Sequence, residues 1–220
     1  ASSWPTCCTP SLRCGSGSVY RSCRPSHRRG GPPVLPFTPV WRAARDRQQR
    51  VGRYVAAALA EPSPDDVTWL AGAATTGDED HARWELRYAR MAVSTFVAER
   101  DALDDRTGAE VVAALREAMA SDDRIAADLL PLAERQYADR VTGYREAFFS
   151  RGGAGGTDQK LGRVLLAFAS GGARTGGSPL GRATAVLATY VDAAQSALRD
   201  AYGEARLPDD IAPSKLAGGR

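Results

Sequence analysis

The chain has 220 residues, 43% of them hydrophobic and 25% charged, with four cysteines and a formal net charge of +3. A chain of this length can bury a sizeable core without metal or disulfide staples, because folding hides roughly 70% of the unfolded surface. Residues 1–45 hold seven arginines, all four cysteines and no acid, whereas residues 46–220 hold 26 acids against 22 Arg and Lys. That larger part is net acidic and lacks the clustered positive face of a nucleic-acid binder. It also lacks any run of 18 apolar residues with which to span a bilayer. The expectation is a soluble, cytoplasmic protein with neither a nucleic acid nor a membrane as partner.

Residues 1–37 are rich in Ser, Pro, Arg, Gly and Cys and show neither helical nor strand periodicity, so they read as a disordered or non-native leader. Pro32, Pro33, Pro36 and Pro39 interrupt its one uncharged stretch, where a signal peptide needs a continuous apolar core. Cys7, Cys8, Cys14, Cys23 and His27 are zinc-ligand types. Their spacing lacks the C-x2-C pairs that converge two sulfurs on one ion, so no metal is assigned to them.

From Thr38 the sequence predicts an all-α domain over residues 38–206, an antiparallel bundle of about six to seven helices, followed by a tail over 207–220. The first helix spans about Pro39–Ala60, with Val51, Val55 and Leu59 four apart. The second starts at Ser63 as N-cap with Pro64 in its first turn and closes at Gly72. The third, about Gly77–Asp104, opens on Asp78, Glu79 and Asp80, which suit the positive end of the helix dipole. Its length and its stripe of Ala82, Leu86, Ala89, Val93, Phe96 and Val97 mark it as the longest helix and the spine of the domain.

A fourth helix is predicted from a capping box of Thr107 and Glu110, with Val111, Leu115 and Met119 on one face. A fifth is predicted over about Asp122–Ser150, broken or kinked at Pro131, with Tyr137, Val141, Tyr144 and Phe148 aligned. The sixth covers about Thr157–Ala169. The seventh runs from Ser178 and Pro179 to Tyr202. No period-2 alternation bounded by turns suggests a strand.

Two groups of residues stand out. Arg100 falls in the middle of the third helix's apolar stripe with Asp104 one turn on, which reads as a structural i,i+4 ion pair. The functional alternative joins Asp101, Asp104 and Asp105 to Asp122 and Asp123, carboxylates that on convergence would bind Mg²⁺ and a phosphorylated or diphosphate ligand. The second group is Arg83, Trp84, Arg87, Tyr88 and Met91, either core or an aromatic and arginine surface for a protein partner or for self-association.

Other motifs carry less. Gly152–Gly156 follows a helix and lacks the Lys-Ser/Thr ending of a phosphate loop. His81, beside Trp84 and Glu85, has no accompanying nucleophile pattern and no Glu-x-x-His partner for a di-iron site. No cofactor is implied and no family is recognised. The leading expectation is a protein-interaction or scaffold module, with a Mg²⁺-dependent enzyme and a helical-bundle binder of an apolar small molecule as alternatives.

Overall fold

A computed structural model describes residues 38–102, 105–150, 155–171 and 178–203, which form seven α-helices and, among these residues, no strand. The helices are α1 (Pro39–Ala58), α2 (Pro64–Ala73), α3 (Glu79–Asp101), α4 (Asp105–Ala120), α5 (Leu130–Phe149), α6 (Thr157–Ala169) and α7 (Ser178–Tyr202). The leader 1–37, Asp104, Gly152–Ala154 and the tail 207–220 lie outside the described residues.

The helix starts follow from side-chain chemistry. Thr38 caps α1 by accepting a hydrogen bond from the Trp41 amide at 3.1 Å, and Asp78 caps α3 by accepting from the His81 amide at 3.0 Å. Each satisfies one of the donors that a helix N-terminus leaves open. Two predicted starts are corrected. The fifth helix does not start at Asp122: of the break or kink expected at Pro131 the structure has the break, with Pro131 in the first turn of α5, where its missing N–H costs no hydrogen bond. The preceding segment turns instead, because the Asp122 side chain accepts from the Arg124 amide at 3.1 Å and competes with helix formation. Thr107 is not a cap: α4 already begins at Asp105, Thr107 is buried within it, and Glu110 is held by Arg106 at 2.8 Å.

α3 is the spine, since it packs against each of the other six helices. It is 23 residues long, about 35 Å, and is exceeded in length by the 25-residue α7. Fourteen of its residues are buried, including Leu86, Val93, Phe96 and Val97, too many for a one-sided amphipathic stripe. Tyr88 bonds Gln136 at 3.4 Å and Glu99 bonds Arg145 at 2.8 Å, so α3 and α5 ascend in the same direction.

At the α6–α7 crossing Gly162 lets two backbones meet. A Cβ there would stand 2.9 Å from the Thr184 nitrogen and 3.1 Å from the Ala183 carbonyl carbon, whereas one at Gly52 on α1 would meet nothing within 4 Å. Helix propensity favours Ala over Gly by about 1 kcal/mol at either place. Overpacking against a rigid backbone costs about 1–3 kcal/mol and outweighs that gain at Gly162 alone. In chemical denaturation Gly52→Ala is expected to raise the midpoint and Gly162→Ala to lower it. Equal shifts for the two variants would contradict the close crossing.

Candidate functional site

The two carboxylate groups singled out by the sequence do not come together. Arg100 pairs with its neighbour Asp101 through a two-pronged contact of 2.6 and 2.8 Å, and Gln195 of α7 donates to the same carboxylate at 3.3 Å; the expected pair with Asp104 lies outside the described residues. The guanidinium also lies 4.8 Å from the Phe148 ring centre. The contact to Arg100 holds the Asp101 carboxyl below the usual range, and both side chains remain partly exposed. Asp105 opens α4, and its side chain is outside the described residues.

Asp122 docks elsewhere, on Arg87 at 2.8 Å. Arg87 precedes Asp101 by 14 residues on α3, a rise of about 21 Å at 1.5 Å per residue. Asp123 is exposed. Among the described residues no three His, Cys, Asp or Glu side chains are grouped to hold a metal ion. The convergence of Asp101 with Asp122 that the sequence suggested is thus replaced by two separate arginine clasps.

The second group turns inward. Arg87, Tyr88 and Met91 are 3–5% exposed, Trp84 is half-buried, and Arg83 alone is exposed, near Asp80 at 3.9 Å. The chain after α4 folds back over this face and delivers Asp122 to Arg87, whose guanidinium stacks 4.6 Å from the Trp84 ring centre. Beside it Glu85, 2% exposed, takes Arg140 of α5 in a two-pronged contact of 2.5 and 3.2 Å and lies 3.4 Å from His81. A charge this deep is tolerated only with such a partner. Next to this pair the fully buried Tyr144 hydroxyl has no hydrogen-bond partner among the described residues, and burial pushes its phenol well above the ordinary value.

A sizeable opening lies beside the α3 spine, at a place the sequence did not single out. α4 and α5 each pack on α3 but scarcely on one another, and the space between them is a cleft of about 530 Å³. Its walls are Val112 and Met119 from α4 and Ala138 and Val141 from α5, and its floor carries the hydroxyls of Thr95 and Tyr137. Glu99 and Arg145, paired at 2.8 Å, close one end. Arg116 and Glu134 line the rest, and neither has an ion-pair partner among the described residues.

The floor has a definite polarity. Thr95 spends its one hydroxyl proton on the Met91 carbonyl at 3.0 Å, so in the 3.5 Å contact with Tyr137 it can only accept. Among the described residues the Tyr137 proton therefore has only this long contact to satisfy it. Burial raises the Tyr137 phenol above its ordinary value, which keeps it neutral and protonated near pH 7. Tyr137, Val141 and Met119 were legible as apolar stripes, but no sequence signal distinguishes a stripe facing a gap from one facing a neighbour.

The Arg87–Asp122–Arg124 clasp has a pH signature. Arg124, donating at 2.8 and 2.9 Å, holds the Asp122 carboxyl down to about 2, with Arg87 adding to the effect. A carboxyl depressed in the folded state stabilises above its unfolded value and loses that contribution as pH falls through the folded one. The stability difference between wild type and Asp122→Asn is expected to be full above about pH 4 and to shrink toward about pH 2. Denaturant titrations across that window check this, and a difference independent of pH would contradict the clasp.

Comparison of the chain with protein-family models, with curated proteins and with solved structures finds no match.

Proposed function

We propose that this domain binds a small amphipathic molecule in the cleft between α3, α4 and α5. The observation that supports it is the cleft itself, a 530 Å³ opening with apolar walls and two nearly buried hydroxyls. Ligand sites are commonly of this size and make-up, an apolar lining with a few placed polar groups. The magnesium alternative has less behind it, because Asp101 and Asp122 are engaged by arginines at separate places.

Ala138, exposed on the cleft wall, offers a direct test. A neutral solvatochromic dye such as Nile red is expected to brighten on the folded protein. Ala138→Trp is expected to abolish that response while leaving the helical circular dichroism unchanged. Equal dye binding by the variant would remove the cleft from consideration.

A second reading keeps the interaction role and rests on Leu129 and Leu132, which are 51% and 48% exposed and adjacent at the start of α5. Such a pair suits a contact with another protein chain or a second copy. Sedimentation should then show an association that Leu132→Glu abolishes. A monomer at all concentrations would leave self-association without support.

A further inference from the structure

Given the cleft reading above, we propose that its ligand class is a small carboxylate with an apolar body, its carboxylate held by Arg116 and the Tyr137 hydroxyl and its body laid along Val112, Met119 and Val141. The argument starts from the hydrogen-bond inventory. Because Thr95 is already committed to the Met91 carbonyl, the floor offers one proton, that of Tyr137, and its present acceptor lies 3.5 Å away. A carboxylate oxygen is a stronger acceptor than a threonine hydroxyl and would draw that proton to itself.

Charge decides the sign of the ligand. Two carboxylates and two guanidiniums line the cleft, but Glu99 and Arg145 neutralise each other at 2.8 Å. Arg116 and Glu99 line the cleft together with Tyr137 and act on its phenol in opposite senses. With Glu99 taken up by Arg145, the charge left facing the floor is the guanidinium of Arg116. A guanidinium and a neutral hydroxyl donor side by side match the two oxygens of a carboxylate. A cationic ligand at the same place would be repelled by Arg116. Glu134 stands with Met119 at the end flanking the 121–129 connection and is exposed.

The apolar body is fixed by the walls. Val112 and Val141 are half-buried on opposite sides and Met119, an unbranched and adaptable side chain, lies one turn from Arg116 on α4. A carboxylate anchored at Arg116 thus has apolar surface immediately beside it. Ala138 and Thr142 are too short to reach across, which leaves the width of the cleft for an aromatic or alkyl group.

The test uses the full chain and two probes of equal shape, 4-phenylbutyrate and its neutral primary amide, followed by titration calorimetry. The carboxylate is expected to bind about ten-fold tighter than the amide, in line with a charge-assisted hydrogen bond. Arg116→Gln, at an exposed position, is expected to erase that preference without changing helicity, and Tyr137→Phe to weaken the carboxylate several-fold. The preference should also fall with added salt. Equal binding of acid and amide, a preference untouched by Arg116→Gln, or binding of neither probe would overturn the carboxylate assignment. Loss of the ligand class alone is distinguishable from loss of the cleft, because only the latter leaves Nile red binding unaffected by Ala138→Trp.

Discussion

A helix packed on all sides must find a partner for each polar group it carries, and α3 sets that constraint for the whole bundle. Glu85 and Arg87 are 2% and 5% exposed, in the middle of an otherwise apolar surface. Uncompensated, each buried charge would cost several kcal/mol. Arg140 reaches from α5 to Glu85, and Asp122 reaches from the turn after α4 to Arg87. The Tyr54 hydroxyl of α1 donates to the Ser94 carbonyl at 2.6 Å. Apolar burial supplies the driving force, but these bonds choose the position of each neighbour.

The cleft is a consequence of those choices. Arg140 draws α5 toward the Glu85 face of α3. α4 is tied to the end of α3 by a short connection, where the alpha carbon of Glu99 lies only 3.5 Å from a Cβ position at Gly108. Helices fixed to α3 by two different attachments have no independent reason to meet one another. Larger residues at Ala138 and Thr142 would close the gap and gain burial worth about 25 cal/mol per Å². The chain leaves that surface open to water.

The sequence made the architecture legible because helix periodicity and capping are local. Thr38, Ser63, Asp78 and the prolines at positions 39, 64, 131 and 179 lie at or next to the helix starts. The errors have equally local causes. Asp122 stands at the predicted start of the fifth helix, whereas its side chain closes a turn with Arg124 and pairs with Arg87 across 35 positions. A partner that distant leaves no periodic trace. The same limit hid the fate of Tyr88 and Met91, whose stripe is identical whether it faces a partner protein or α5. Arg116 and Glu134 stand on the exposed side of amphipathic helices and differ in no sequence feature from the solvated charges around them.

What separates Arg116 from the arginines that hold the helices together is electrostatic context rather than position. Arg87, Arg100, Arg124, Arg140 and Arg145 each hold a carboxylate, and all but Arg124 lie over an aromatic ring. Their guanidiniums are spent on the fold, since a planar fork bound to a carboxylate and stacked on a ring has little capacity left for a ligand. Of the two arginines that line the cleft, Arg145 belongs to this structural set and Arg116 has no carboxylate partner among the described residues. A low-dielectric floor beside it strengthens any charge-assisted bond formed there relative to the same bond in open water. In the cleft a cation, a neutral hydroxyl donor and apolar walls thus share one lining.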